Sequence, residues 1–243
     1  MASTSSRSIW IIDRKSMSIL KDYCVNLKMP FSIGNRLSRT WVGVLHEYFQ
    51  VLKQSREWVR NGRKGSPPHR IKQKIIRNYR RKFQCAVLIE TGTYLGDMVY
   101  AMRKDFKEIH SIELDRDLFK KAKARFESYS HIHLYNGNSG EVLQTILSEL
   151  HQPCLFWLDA HYSAGITARG ESDTPIEEEL KYILGHECVE NSVILIDDAR
   201  NFNGRNDYPL VDTIETKVKQ AGYRSFQVED DIIRICGSAK SFV

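Results

Sequence analysis

The sequence contains few cysteines, and none of them forms a Cys-x-x-Cys pair. The five are scattered at Cys24, Cys85, Cys154, Cys188 and Cys236. An odd number at such spacing predicts neither a disulfide framework nor a structural zinc site. We therefore expect a protein of a reducing compartment, for which a cytoplasmic location is the simplest interpretation.

Long apolar runs are also absent. No run approaches the roughly 18 to 20 residues of a membrane span, and the stretch SIWII near the start is followed at once by charged residues. The opening MASTSSRS is serine-rich like a transit peptide, but Asp13 and Asp22 follow, and such peptides are poor in acids. We expect a soluble chain with no membrane span and no organelle-targeting sequence.

Acidic residues are missing between Arg60 and Lys82, where ten lysines and arginines occur. The net charge of the whole chain is +6, so the rest of the chain sums to −4. A basic segment of this kind can be a surface for an anionic partner such as a nucleic acid, an acidic glycan or a phosphorylated carrier. It can equally be a linker and the solvated face of a helix, and both interpretations stay open at this point.

The chain is predicted to have two parts. Apolar residues at helical spacing between residues 41 and 61 predict an amphipathic helix, and the glycines and prolines of residues 62–68 end it. A second helix is predicted over residues 69–83, with its basic side chains on the outer face. We predict an N-terminal helical arm and linker over residues 1–64 and a main domain over residues 65–243.

Short apolar runs alternate with helical patterns from residue 86 onward, which predicts repeated βα units and a mostly parallel sheet. The predicted strands are 86–90, 109–113, 131–135, 155–159, 193–197, 225–229 and 232–236. The predicted helices are 95–106, 116–128, 139–150, 175–186 and 208–221. Because only a short Asp-Asp turn joins the last two strands, they predict an antiparallel hairpin at one edge of the sheet.

A glycine-containing turn follows the first predicted strand. The strand ends in Glu90, and the segment ETGTYLG leads from there into the next helix. Glycine lets the backbone approach a ligand closely, and a helix N-terminus offers free N–H groups. We predict cofactor contacts from Glu90, Gly92, Thr93 and Gly96, although many such turns contain glycine only for packing.

The next two strands end in further candidate cofactor residues. Glu113 lies about 20 residues beyond the glycine turn, where an acid can accept hydrogen bonds from both ribose hydroxyls of an adenosine cofactor. The alternative is a surface acid that caps the next helix, although Asp115 is better placed for that role. Asn138 and Ser139 follow the third strand and could face an adenine ring, while Ser139 could also be a helix N-cap.

Three carboxylates follow the fourth and fifth strands. Asp159 ends one strand, and Asp197 and Asp198 end the other. If these strands are neighbours, about 4.8 Å apart, the acids lie close together and need a cation. Carboxylate oxygens are ligands of Mg²⁺, Mn²⁺ or Ca²⁺, so we predict a divalent metal, with Mg²⁺ favoured. An arrangement without a metal stays open, because either Asp197 or Asp198 could instead orient a neighbouring group or cap a helix.

His161 lies two residues beyond Asp159, on the same side of the chain if the backbone stays extended there. An imidazole with a pKa near 6.5 is suited to remove a proton from a hydroxyl at neutral pH. We predict His161 and Asp159 as catalytic residues. The alternative is an incidental loop histidine.

Taken in chain order, the segments ETGTYLG, SIELD, GNS, LDAHYSAG and ILIDD resemble the class I S-adenosylmethionine-dependent methyltransferases over about residues 70–236. Within that class, the Glu-Thr-Gly start and the Asp-x-His and Asp-Asp strand ends are similar to those of the metal-dependent macrocin-type sugar O-methyltransferases. The resemblance implies a Rossmann-like three-layer α/β sandwich. Its sheet would be seven-stranded and mostly parallel, with an antiparallel C-terminal hairpin.

The resemblance also implies roles at the site. The implied cofactor contacts are Gly92, Gly96, Glu113 and Asn138. The implied metal ligands are Asp159, Asp197 and Asp198, and His161 matches the general base. The reaction would move a methyl group from S-adenosylmethionine to a hydroxyl of a sugar, glycoside or similar small molecule. Two positions depart from the pattern: Tyr94 replaces the usual middle glycine, and Asn138 stands where aspartate is more common.

Three other functions are compatible with parts of the sequence. An RNA-directed methyltransferase could use the basic segment 60–82 as its docking surface. The fourth strand lacks the Asn-Pro-Pro-Tyr or Asp-Pro-Pro-Tyr signature of base-amino methylation, whereas ribose methylation stays open. A nicotinamide-dependent oxidoreductase would need a complete GxGxxG turn, and a non-catalytic binding protein would not need acids at every strand end. A homo-oligomer is compatible with each of these functions.

Overall fold

The computed structural model describes residues 41–159, 174–186, 191–223 and 225–237, with side chains from residue 49 onward. The chain divides into two compact units, residues 1–50 and residues 51–243. The boundary predicted at residues 64 and 65 stays a prediction. Within the described residues, no helix is both long enough and apolar enough to cross a membrane.

Helices and strands alternate along the second unit, as the apolar runs predicted. The helices are α1 (Trp41–Arg60, which begins in the first unit), α2 (His69–Phe83), α3 (Asp97–Met102), α4 (Arg116–Phe126), α5 (Ser139–Ser148), α6 (Ile176–Leu184) and α7 (Val211–Gln220). The strands are β1 (Val87–Thr91), β2 (Glu108–Glu113), β3 (Ile132–Asn136), β4 (Cys154–Leu158), β5 (Val193–Ile196), β6 (Ser225–Glu229) and β7 (Ile232–Cys236). Of these, α3 is shorter than the predicted 95–106. It begins later because Gly96 adopts a left-handed conformation, and it ends at Met102, where a turn follows.

The seven strands form one mixed sheet in the order β3-β2-β1-β4-β5-β7-β6. Strands β1 to β5 are parallel, β7 pairs with β5 antiparallel, and β6 pairs with β7 antiparallel. The predicted fold class is confirmed. Because the chain order reverses beside β1, the carboxyl ends of β1 and β4 border the crevice where open α/β sheets bind their ligands.

Two apolar layers cover the sheet, one on each face. Side chains of β1 alternate between them: Val87 and Ile89 pack with α5, α6 and α7, whereas Leu88 packs with α2, α3 and α4. Every position of β1, β4, β5 and β7 is buried. Strands with helices on both faces are expected to be continuous apolar runs, as β4 and β5 are, whereas β1 ends in Glu90 and Thr91 and β7 contains Arg234.

Helix α2 belongs to the main core through Ile75 and Ile76, which are buried against β4 and β5 side chains such as Trp157 and Leu195. Its first turn lies beside the carboxyl ends of those strands, because the Lys72 ammonium group reaches Asp197 just after β5. The packing of α2 therefore decides which of its side chains enter the site.

Replacing Ile76 by alanine tests this packing. The side chain is fully buried, so Ile76→Ala should lower the free energy of unfolding by about 2 to 5 kcal/mol. Val59→Ala is the control, because the Val59 side chain is exposed and its loss should have little effect. Urea unfolding of the three proteins measures both effects, and equal stabilities would show that α2 is not part of the core.

Candidate functional site

The turn after β1 has a backbone that favours glycine. Gly92 and Gly96 have φ values of 84° and 75°, and a Cβ atom on Gly96 would lie 2.6 Å from the Phe126 ring. Tyr94 also adopts a left-handed conformation, at a φ of 50°, although a side chain there costs roughly 1 to 2 kcal/mol. The turn thus keeps its left-handed backbone although Tyr94 stands in place of the glycine. Backbone strain of this kind is typical of functional turns.

Glu113, at the end of β2, is held against this turn. Its two carboxylate oxygens accept the backbone N–H groups of Tyr94 at 2.6 Å and Asp115 at 2.9 Å. Each oxygen has a second lone pair for a ligand hydroxyl. The alternative of a capping role is wrong for Glu113, because the Asp115 side chain accepts the N–H groups of Asp117 and Leu118 and caps α4.

Glu90 lies deeper, between β1 and β2. Ser111 Oγ lies 2.5 Å from a Glu90 carboxylate oxygen and 2.6 Å from Thr93 Oγ1. These buried hydrogen bonds connect two of the predicted cofactor residues, Glu90 and Thr93, through Ser111. Burial raises the pKa of Glu90 to about 8. The carboxyl group is therefore mostly protonated at neutral pH in the ligand-free chain.

Asn138 and Ser139 have separate roles at the start of α5. Asn138 is the N-cap, and its side-chain oxygen accepts the N–H of Gly140 at 2.9 Å. The expectation that Ser139 is the cap is wrong, because Ser139 is already helical and its hydroxyl donates to Glu179 at 2.5 Å. Because the Asn138 amide caps α5 through its oxygen, its NH₂ group remains able to donate to a ligand.

The predicted acids lie where two paired strands end. Leu158 of β4 pairs with Ile196 of β5, and the backbone N–H of Asp197 donates to the Leu158 carbonyl at 3.0 Å. The N–H of Asp159 donates to the Thr91 carbonyl at 3.1 Å, which fastens the β4 end to β1. Asp159 thus lies beside the end of β1, Asp197 lies one strand further along, and both line one cavity together with Glu179.

Cations of the chain itself contact two of the acids. Lys72 forms an ion pair with Asp197, and Arg200 forms one with Asp198 at 2.9 Å. The backbone N–H of Asp198 also donates to a carboxylate oxygen of Asp197 at 2.9 Å. Among the described residues, no three His, Cys, Asp or Glu side chains are arranged to hold a metal ion. His161, the predicted base, lies outside the described residues.

Two residues at the site were missed in the sequence. Lys72 precedes the buried Ile75 and Ile76 by three and four positions, so helical spacing places it on their face, although we assigned the basic residues of α2 to the outer face. Glu179 follows the buried Ile176 by three positions and is itself buried. Burial raises the pKa of Glu179 to about 7.

His69, the first residue of α2, was also passed over because no motif surrounds it. The residue is exposed, and its Nδ1 lies 2.9 Å from Gln73 Nε2. Partial desolvation lowers the pKa of His69 below its ordinary value, against the opposing attraction of Asp97 and Asp159. It is a second candidate for proton removal near Asp159.

Comparisons with known proteins agree with this architecture. No protein-family model matches the sequence, and no curated protein is significantly similar to it. The structure of the Podospora anserina methyltransferase PaMTH1 with bound SAH has a TM-score of 0.50 and 17% identity, over 96% of this chain and 100% of that chain. The O-methyltransferase TomG from Streptomyces achromogenes, in complex with SAM, has a TM-score of 0.49 and 14% identity, over 94% and 100%. The first likeness shows a Rossmann-like α/β fold.

The two buried glutamates predict how stability depends on pH. Their pKa values are raised in the folded chain, so it binds more protons than the unfolded chain between about pH 4.5 and 8, and stability falls as pH rises through that window. Glu90→Gln should make the loss of unfolding free energy between pH 5 and 9 roughly 2 to 4 kcal/mol smaller. Unfolding without cofactor measures this, with the exposed Glu141→Gln as control; an unchanged pH dependence in Glu90→Gln would contradict the buried neutral carboxyl.

Proposed function

We propose that the chain is an S-adenosylmethionine-dependent O-methyltransferase that acts on a hydroxyl of a sugar, glycoside or similar small molecule. The observation that carries the proposal is the Glu113 carboxylate, which is held beside the glycine turn in a sheet with the β3-β2-β1-β4-β5-β7-β6 order. A dinucleotide-binding sheet with the order 3-2-1-4-5-6 lacks the inserted antiparallel strand β7, which counts against the oxidoreductase alternative.

The cofactor would lie across the carboxyl ends of β1, β2 and β3. Glu113 would accept hydrogen bonds from the ribose hydroxyls, Asn138 would offer its NH₂ group to the adenine edge, and Glu90 would lie nearest the methionine part. Gly92, Thr93, Gly96 and Ser139 would shape the surrounding surface. All seven of these residues are ones that the sequence predicted to contact the cofactor.

The acceptor would bind on the other side, at the ends of β4 and β5. S-adenosylmethionine would supply an electrophilic methyl group for the acceptor hydroxyl oxygen, and S-adenosylhomocysteine would be the leaving group. The hydroxyl proton goes to a base, for which we propose His161, with Asp159 orienting the acceptor. The site supplies alignment, which is the main requirement of an in-line transfer.

The divalent metal stays a prediction. Asp159, Asp197 and Asp198 offer hard oxygen ligands of the kind that Mg²⁺ prefers. However, Lys72 and Arg200 already contact two of these carboxylates, so the described residues do not form an open set of ligands for a metal. No step of the mechanism is therefore routed through a metal ion.

The contacts of the basic segment 60–82 bear on the RNA-directed alternative. Arg63 pairs with Asp230, Lys72 with Asp197, and Arg77 with Asp105. These three cations neutralise acids of the same chain. Arg60, Lys64, Lys74, Arg81 and Lys82 are exposed, which fits both a solvated outer face and a docking surface, so the RNA-directed alternative stays open. Lys72 is the exception, because it faces inward.

Loss of the Glu113 carboxylate tests the cofactor assignment. Glu113→Ala should weaken binding of S-adenosylhomocysteine by roughly 1.5 to 3 kcal/mol, because the ribose hydroxyls lose a charged acceptor. Glu108→Ala, at the opposite end of the same strand, should bind like the parent. Calorimetry on variants with native circular dichroism spectra measures the difference; parent-like affinity in Glu113→Ala would remove Glu113 from the ribose site.

A second test concerns the base. His161→Ala should lower turnover by roughly 10² to 10⁴-fold with cofactor affinity little changed, because proton removal is lost while binding remains. The parent's rate should rise with pH through the titration of the histidine, since only neutral imidazole accepts a proton. His69→Ala is the matched comparison: a large loss there, with near-parent turnover in His161→Ala, would move the role of base to His69.

A further inference from the structure

The Lys72 side chain is unusual among the basic residues of its segment because it is directed into the site. It is 15% exposed, and the Asp197 side chain that it contacts is 0% exposed. A buried carboxylate is costly unless it is paired and hydrogen-bonded, and Lys72 is the ion-pair partner of Asp197. Lys74, two residues further along α2, is exposed.

The Lys72 ammonium group lies at the acidic strand ends. It contacts the Asp197 carboxylate, which also accepts the backbone N–H of Asp198 at 2.9 Å. Arg200 contacts the Asp198 carboxylate at 2.9 Å. Cations of the chain therefore contact two of the three acids that the sequence predicted as ligands of a divalent cation.

Helix packing holds the ammonium group at this place. Ile75 and Ile76 anchor α2 in the core on the face that also carries Lys72. A metal ion at Asp197 would meet an ammonium group fixed beside the same carboxylate. The repulsion between the two cations would weaken metal binding.

We propose that the Lys72 ammonium group takes the place of a divalent metal at the acidic ends of β4 and β5, so that this site works without a bound metal ion. The inference rests on the proposed function only for its catalytic consequence. An ammonium group has three N–H donors, and beyond Asp197 it can donate to the oxygen of an acceptor hydroxyl. It would position that oxygen without the stronger acidifying effect of a metal.

Manganese binding to the full chain tests the proposal directly. The parent should bind no stoichiometric Mn²⁺ at up to about 1 mM, followed by electron paramagnetic resonance of free Mn²⁺. Lys72→Met removes the ammonium group and should raise Mn²⁺ affinity at least about tenfold, because the repulsion is gone and the acids remain. Lys74→Met, the control on the same helix, should behave like the parent.

A double variant locates the ion. Lys72→Met with Asp197→Asn should lose the gained Mn²⁺ affinity, which a merely structural role of Lys72 would not produce. Equal Mn²⁺ affinity in the parent and in Lys72→Met, whether tight or absent, would overturn the proposal. If Lys72→Met does not fold, the parent and Asp197→Asn suffice: tight Mn²⁺ binding by the parent that Asp197→Asn abolishes would also overturn it.

The two proposals fail in different ways. Loss of S-adenosylhomocysteine binding in the parent would defeat the proposed methyltransferase and would leave the Mn²⁺ result valid. Strong Mn²⁺ binding by the parent would defeat the role of Lys72 and would leave the methyltransferase in place with the metal that the sequence predicted.

Discussion

The ion pair between Lys72 and Asp197 is the contact on which the arrangement of the site depends. Asp197 is held just beyond β5 by its N–H bond to Leu158, and its carboxylate is out of contact with solvent. Burial raises the pKa of Asp197 to about 7, and the Lys72 ammonium group opposes that shift. Lys72 reaches this position because α2 packs against the sheet. The core and the acidic cluster are thus linked: the same helix fills the apolar layer with its isoleucines and neutralises the strand ends with its lysine.

The sheet order separates two halves of the crevice with different chemistry. On the β1-β2-β3 side, a strained glycine turn and a carboxylate fixed by two backbone N–H groups suit a neutral, hydroxyl-rich ligand part. On the β4-β5 side, charged groups compensate each other in a small volume. Glu90 and Glu179, both buried and with raised pKa values, lie in the interior near this crevice. This division matches a reaction in which a cofactor delivers its methyl group to an acceptor held at the opposite strand ends.

Much of the fold could be predicted from the sequence, because its strands are nearly continuous apolar runs and its turns contain the expected polar residues. The predicted hairpin and the helix over residues 69–83 are confirmed with the same bounds. The position of Glu113 followed from its spacing, and Asp115 proved to be the cap that its place suggested. The strand order was not predicted, since no local pattern encodes which strands become neighbours.

The site itself was harder to predict, for a physical reason. A lysine within a run of ten cations is expected on a solvated face, and only the burial of Asp197 makes an inward direction favourable for Lys72. That burial is a property of the tertiary structure. Glu179 follows the same rule, because its neighbours Glu177 and Glu178 suggest an exposed helix start while its own position falls on the buried side. In both cases the helical spacing from buried residues indicated an inward direction, whereas the neighbouring charged residues suggested exposure.

The central claim is that the crevice beside Glu113 binds S-adenosylmethionine. Calorimetric titration of the full chain with S-adenosylhomocysteine and, separately, with NAD tests it most directly, because the two ligands share the adenosine part and differ in what lies beyond it. We predict one equivalent of S-adenosylhomocysteine bound and no saturable binding of NAD. Saturable binding of NAD without binding of S-adenosylhomocysteine would contradict the claim and favour the oxidoreductase.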